Sequence, residues 1–185
     1  GKNRTANIDD LMVFGNQYDF EVEQISAQEI DAISISSTKI RTALEEGNIH
    51  LANEYLGYAY FLSGTVVKGR QLGRTIGFPT ANIKLEEEYK LVPKNGVYVV
   101  RAEIEGKLIF GMMNIGFNPT VEGKTKTIEV HFFDFNADIY DSHIKIAILQ
   151  RIRSEKKFES VELLINQLKE DQIFSKQYLQ NLQNK

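Results

Sequence analysis

The chain has 185 residues, a formal net charge of −3, 42% hydrophobic residues and no cysteine. That length and apolar content suit one domain, or a domain and a fragment, with a sizeable core. The lack of Cys excludes disulfides, thiolate chemistry and Cys-ligated zinc or iron–sulfur centres. The acidic balance argues against a general nucleic-acid binder, and no apolar run reaches the roughly 18–20 residues of a membrane helix or resembles a secretory signal. A cytoplasmic enzyme without nucleic-acid or membrane partners is expected. The chain opens Gly1-Lys-Asn-Arg4 with no initiator Met, and so reads as a piece of something longer.

Residues 1–57 read as mixed α and β. Ile8, Leu11, Met12 and Phe14 form a short helical face. Phe20, Val22 and Gln24 alternate with Glu21, Glu23 and Ile25, the pattern of a strand. Ser36 and Ser37 precede Ile40, Ala43 and Leu44. A Ser N-cap accepts the orphan amides of a first turn, and a Gly supplies the left-handed stop. A helix is therefore predicted from these serines to Gly47. A second short helix, roughly 48–56, runs into Gly57. With so few strands this segment cannot close a core alone, and its apolar face needs a partner.

From Tyr58 the pattern is β. Tyr60–Val67 is apolar and β-branched. Tyr98, Val100, Ala102 and Ile104 share one face, and Glu105-Gly-Lys107 reads as a hairpin turn into Leu108–Ile115. Ile128, Val130 and Phe132 lie on one face of the next strand, opposite Thr127, Glu129, His131 and Phe133. Ile144, Ile146, Ile148 and Ile152 share a parity in the last. Such strands, separated by turn residues, predict a small antiparallel barrel. Val161, Leu164, Ile165 and Leu168, then Ile173, Phe174, Tyr178 and Leu182, follow helical spacing. One or two amphipathic helices are expected to pack on the barrel and close an open edge.

The chemistry concentrates between Lys68 and Asn82. Gly64 lies just before this run and Gly69, Gly73 and Gly77 inside it, with Lys68, Arg70 and Arg74 as cations. Glycines let backbone amides approach an anion, and cations offset its charge. This is not a Walker A motif, because no Gly-Lys-Ser/Thr ending is present; the plain alternative is a polar surface loop. Pro79 fixes its own backbone angle and restricts Phe78 before it, and Thr80 and Asn82, two apart, put a hydroxyl and an amide oxygen on one side of an extended segment. Both are hard donors suited to Mg²⁺ beside a nucleoside triphosphate. Glu129 lies off the aliphatic face of its strand, so it is either a solvated or paired carboxylate or a group pointing into a polar site. His50, His131 and His143 are too scattered to form a metal cluster, and Glu86-Glu-Glu88 reads as a solvated charge run.

The stretch from Gly64 to Ile83 closely resembles the signature of riboflavin kinases. The resemblance continues at Asn95-Gly-Val-Tyr98, at Met113-Asn-Ile-Gly-Phe-Asn-Pro-Thr120, through Thr127-Ile-Glu-Val-His131, and to Arg151-Ile-Arg-Ser-Glu-Lys-Lys-Phe158. It implies a mainly β fold: a small antiparallel Greek-key barrel of about six strands with C-terminal helices. It also implies transfer of the γ-phosphoryl of ATP to riboflavin, giving FMN and ADP with Mg²⁺. Carried over by position, Thr80 and Asn82 would bind metal and nucleotide, Gly69, Gly73, Arg74 and Gly77 would cover the ATP phosphates, and Glu129 would be the catalytic base. Arg153, in the mobile segment after the last strand, would lie near the flavin.

Ile35-Ser-Ser-Thr-Lys-Ile-Arg41 is similar to the nucleotide-binding signature near the end of the FMN adenylyltransferase module in bacterial bifunctional riboflavin kinase/FAD synthetases. The resemblance implies a division into 1–57, a partial α/β nucleotidyltransferase segment, and 58–185, the kinase barrel. Ser36, Ser37, Thr38 and Arg41 would be a residual phosphate-binding helix start; a plain capped helix is the alternative. The His-containing motif of that module is missing, so adenylyl transfer is expected only of a full-length parent. Two rivals stand beside this reading. One is a non-catalytic flavin- or nucleotide-binding regulatory module on the same barrel. The other is an oligonucleotide-binding barrel using Lys68, Arg70 and Arg74, which net charge and the lack of interleaved aromatics disfavour.

Overall fold

A computed structural model describes residues 8–23, 29–30, 33–69, 71–87, 89–120 and 123–183. The expectations placed on Gln24, Ile25, Arg70 and Glu88 lie outside these residues. The chain divides into two compact units between Ile35 and Ser36.

The first unit holds helix α1 (Ile8–Tyr18) and a two-stranded antiparallel ribbon of β1 (Glu29–Ile30) and β2 (Ile33–Ser34). The strand expected from Phe20 onward does not form over 20–23. Asp19 takes a left-handed conformation (φ 56°), and the Phe20 amide donates to the Gly15 carbonyl at 3.0 Å, a helix-closing bond. The backbone that would have entered a ladder is used to stop α1.

The second unit begins with α2 (Ser37–Glu46) and α3 (Ile49–Leu56). Ser36 caps α2 by accepting from the Lys39 amide at 3.3 Å, and Gly47 ends it at φ 80°. Asn48 caps α3, accepting from Leu51 at 3.2 Å, and Gly57 ends it at φ 73°. Ala43, Leu44, Ile49 and Ala52 are almost fully buried, in one cluster with the barrel interior. Both helices thus bury their apolar face on the barrel.

The barrel strands are β3 (Phe61–Val67), β4 (Ala81–Leu85), β5 (Gly96–Ile104), β6 (Lys107–Thr120), β7 (Gly123–Phe132) and β8 (His143–Arg153). A single turn of helix, α4 (Leu72–Thr75), lies between β3 and β4, and α5 (Val161–Gln183) follows β8. All barrel pairings are antiparallel and the sheet closes in the order β3-β4-β7-β6-β5-β8. The β5–β6 hairpin has a two-residue loop with Glu105 at φ 52° and Gly106 at φ 73°, the twist that matches paired strands. Tyr98, Val100, Ala102, Ile104, Ile128, Val130 and Phe132 fill the interior, as their alternation predicts.

Two expectations need correction. Ile152 does not join Ile144, Ile146 and Ile148 inside the barrel. Against β5, residues Val100, Val99, Tyr98 and Val97 pair with Ile148, Gln150, Arg151 and Arg153, so β8 carries two register shifts. Each extra residue flips the pleat, sending Ile152 to the outer cluster. The tail forms one helix and lies on the outer surface of an already closed barrel, rather than sealing an edge. Its buried face runs through Ile165, Leu168, Asp171, Ser175, Tyr178 and Leu179, while Ile173 and Phe174 are exposed. Among the described residues no helix is long and apolar enough to cross a membrane.

Candidate active site

The register of the sheet builds the site. Asn82 on β4 stands opposite Glu129 on β7, Glu129 opposite Asn114 on β6, Asn114 opposite Val97 on β5, and Val97 opposite Arg153 on β8. Directly paired residues share a sheet face. Val97 packs in the outer cluster under α5, so this row lies on the outside of the barrel wall. One residue further along β4, β7, β6 and β5 the side chains are core: Ile83, Val130, Met113 and Tyr98. Alternation thus separates a polar row from an aliphatic one on the same strands.

Two clefts flank Thr80. The first, about 240 Å³, has Glu129, Asn114, His131 and Thr80 among its polar walls, and Phe78, Met112, Phe158 and Leu168 among its apolar ones. Gly73, Arg153, Glu155 and Lys156 also line it. The second, about 530 Å³, is bounded by Arg74, Pro79, Thr80 and the 135–140 loop that follows β7. Thr80 lines both. Asn82 lines neither: Gly69 lies over its amide so closely that a Cβ there would stand 2.6 Å from Oδ1.

The Pro-Thr-Ala-Asn segment is tied down from β7. His131 Nδ1 lies 2.8 Å from the Pro79 carbonyl oxygen, which can only accept. The ring therefore carries its proton on Nδ1 and donates it. Phe78 and Phe133 each make a T-shaped contact with the imidazole, with centroids at 5.2 and 5.8 Å. Across the second cleft, Gln71 donates to the Tyr140 hydroxyl at 3.4 Å and the Lys68 ammonium lies 5.7 Å from the Tyr140 ring centre.

Arg153 is the last residue of β8, not part of the segment after it as expected, and is held by α5. Its Nε and Nη2 make a forked contact with Asp171 at 2.7–3.0 Å, and Nη1 donates to the Ser154 carbonyl. Asp171 is 1% exposed. Its guanidinium carbon lies 5.8 Å from the Phe158 ring centre. Arg151, turned inward by the register shifts, donates to the Asn95 carbonyl at 3.0 Å and to Ser154 Oγ at 3.2 Å. Burial raises the Tyr98 phenol above its ordinary value, and the Arg151 guanidinium offsets part of that. Gly77 sits at φ 83° in the turn before Pro79. Ser36, Ser37, Thr38 and Arg41 line neither cleft.

The sequence readily singles out Thr80, Asn82 and Glu129, and the sheet register brings the last two side by side. Asn114, His131, Glu155 and Asp171 were given no role from sequence. The alternation of β7 put His131 on the Glu129 face, which was the one available signal. Asp171 had none, because a buried Asp in a helix looks like any solvated one until its Arg partner is located.

Among the described residues no group of three or more His, Asp or Glu could cage a metal. Thr80 and Asn82 offer neutral oxygens, which fit Mg²⁺ that takes most of its coordination from phosphate and water.

The family model described as Flavokinase: Riboflavin kinase matches residues 56–179. The bifunctional riboflavin kinase/FMN adenylyltransferase of Bacillus subtilis (strain 168) is 45% identical over 164 residues, covering 87% of this chain and 51% of that protein. That of Listeria monocytogenes is 40% identical over 185 residues, covering 100% of this chain and 58% of that protein. A solved structure from Streptococcus pneumoniae, described as a macrolide-efflux protein, superimposes with a TM-score of 0.81 at 40% identity, over 92% of this chain and 55% of that one. The chain spans between half and three-fifths of the length of these curated relatives.

Proposed function

Because the chain belongs to the riboflavin kinase family, we propose that it transfers the γ-phosphoryl of ATP to the ribityl 5′-hydroxyl of riboflavin, giving FMN and ADP. The observation that carries this reading is Thr80 standing between two clefts, with Glu129 in the wall of one and Arg74 in the wall of the other. The flat, apolar isoalloxazine ring suits the first cleft, between Phe78, Met112 and Leu168. The triphosphate suits the second, where Arg74 offsets its charge and the glycine-rich backbone approaches it. The two substrates then meet at Thr80.

There the hydroxyl oxygen bonds to the γ-phosphorus, the bond to the β,γ-bridging oxygen breaks, ADP leaves, and the hydroxyl proton passes to a Glu129 carboxylate oxygen. A carboxylate is a weak base toward an alcohol, so Glu129 acts chiefly by orienting the hydroxyl, with proton transfer late in a loose transition state. Thr80 and Asn82 would hold Mg²⁺, which neutralises charge on the transferring phosphoryl group. A cytoplasmic setting supplies ATP and Mg²⁺ for this chemistry.

Residues 1–57 are read as the closing part of an adenylyltransferase-like domain, with Ser36, Ser37, Thr38 and Arg41 as its helix start. The Listeria relative, bifunctional by description, aligns across the whole chain and so beyond residue 56, which supports this. Incubation with riboflavin, ATP and Mg²⁺, followed by chromatography, tests both halves: FMN should form and FAD should not. Glu129→Gln should lower kcat by about 10²–10³-fold while ATP affinity holds. Flavin binding without FMN in the wild type would favour a non-catalytic flavin module, and undiminished turnover in Glu129→Gln would remove the base assignment.

A further inference from the structure

One wall of the first cleft belongs to no helix or strand. Residues 154–160 run from the end of β8 to the start of α5 without regular structure, and Glu155, Lys156 and Phe158 face the cleft. At about 240 Å³ the cleft falls short of the ~300 Å³ at which ligand pockets usually begin. A three-ring ligand needs a wall that yields, and this one has no hydrogen-bond ladder.

The Glu155 carboxylate fastens that segment to β6 and to Asn95. Glu155 Oε1 accepts from the Phe117 amide on β6 at 3.2 Å, and Oε2 accepts from Asn95 Nδ2 at 3.1 Å. Asn95 is gripped at its other end by Arg151 through its carbonyl, and Arg151 also holds Ser154 Oγ, one residue before Glu155. The backbone is shaped to admit the carboxylate. A Cβ on Gly116 would stand 2.5 Å from Glu155 Oε1 and 3.2 Å from its Cδ, so only a residue without a side chain leaves that seat open.

We infer that Glu155 is a positioning residue for the flavin: its carboxylate latches the 154–158 segment to β6 and Asn95, keeping Lys156 and Phe158 over the bound ring. This rests on reading the first cleft as the flavin site. The latch acts on flavin release and leaves nucleotide binding alone, because no residue from 154 to 158 lines the second cleft.

Two variants of the full chain test it: Glu155→Ala, which removes the carboxylate, and Gly116→Ala, which keeps it but blocks its seat. Stopped-flow riboflavin fluorescence should show dissociation about 10-fold faster in both, the scale of one or two hydrogen bonds lost. ATP KM and the melting temperature should stay at wild-type values. Amide exchange should quicken over 154–158 and not along α5. Wild-type riboflavin release and wild-type exchange in both variants would overturn the latch, as would an ATP KM that rises in step with flavin release. A wild-type chain that binds no riboflavin would instead overturn the flavin reading of the cleft. The exchange measurement, which needs no ligand, would still decide whether Glu155 holds the segment.

Discussion

Gly69→Ala tests the placement of Asn82, the side chain that Gly69 covers. Gly69 has no positive φ, so alanine can adopt its backbone without strain. What the methyl meets is the Asn82 amide: 2.6 Å from Oδ1, and nearer still to Nδ2. Carbon sits comfortably at about 3.5 Å from such an atom, so the amide must retreat by roughly 1 Å. Turning it off its rotamer costs about 0.5–1.5 kcal/mol, and the Gly-to-Ala gain in chain stiffness returns about 0.4–1 kcal/mol. Folding stability should therefore barely move.

Activity should not share that tolerance. Asn82 stands directly across the sheet from Glu129, and a displacement of roughly 1 Å beside reacting atoms typically costs about 10²-fold in rate. FMN formation at saturating riboflavin and ATP is the assay, alongside thermal melting. Gly106→Ala is the control: φ is 73°, no atom lies within 4 Å of the new Cβ, and the hairpin is far along the strands from the row. It should lose about 1 kcal/mol of stability with full turnover per folded molecule. If Gly69→Ala keeps wild-type kcat, Asn82 takes no part in the reacting assembly; if it loses activity only by unfolding, the steric reasoning fails.

Three further outcomes are expected. Asp171→Ala leaves the Arg153 guanidinium facing an emptied pocket under α5, which should cost about 3 kcal/mol and lower the melting temperature by about 10 °C; a melt at the wild-type temperature would show that the ion pair does not anchor α5. His131→Phe removes the donor to Pro79 and should lower kcat about 10-fold, a loss near one hydrogen bond. His131→Asn, with an amide donor, should recover part of it, and equal kinetics in both would separate the ring from the placement of Thr80. At alkaline pH, burial holds the Tyr60 phenol up to about 12 and also raises Tyr98, while each hydroxyl donates to a backbone carbonyl, Leu91 and Lys94 respectively. An unfolded phenol ionises near about 10, so between about 10 and 12 the folded chain binds more protons and stability falls as pH rises. Tyr60→Phe should flatten that fall, and a phenolate absorbance titration complete near pH 10 would contradict the burial effect.

The barrel was legible because β5 and β7 alternate strictly, and strict alternation fixes which side chains are core. The short helices were legible from their ends: Ser36, Gly47, Asn48 and Gly57 are capping residues, and each acts as one. What failed was periodicity interrupted by chemistry. On α5 the buried stripe passes through Asp171 and Ser175, so a reader of apolar spacing moves to Ile173 and Phe174, which are exposed. The Asp is tolerated there because Arg153 meets it with three hydrogen bonds, and Arg153 can meet it because it stands opposite outward Val97, the second register shift in β8 restoring the face that the first reverses.

Those shifts explain why the site could be named in part but not assembled. In an unbroken β8, Arg151 and Arg153 would share a face. With one shift on each side of Val99, Arg151 pairs with core-facing Tyr98 and Arg153 with outward Val97. One arginine braces Asn95 and Ser154 while the other anchors α5, so the two ends of the 154–160 segment are fixed by neighbouring residues pointing opposite ways. A motif such as Arg-Ile-Arg holds no trace of that division, because a bulge is a property of the pairing and not of the strand. Removing Leu149, the residue left unpaired by the first shift, should therefore keep Arg151 opposite Tyr98 and Arg153 opposite Val97, and with them both anchors. Loss of α5 docking in that deletion, without loss of the barrel's own cooperative melt, would show that the Leu149 side chain in the outer cluster, more than this pairing, builds the cleft.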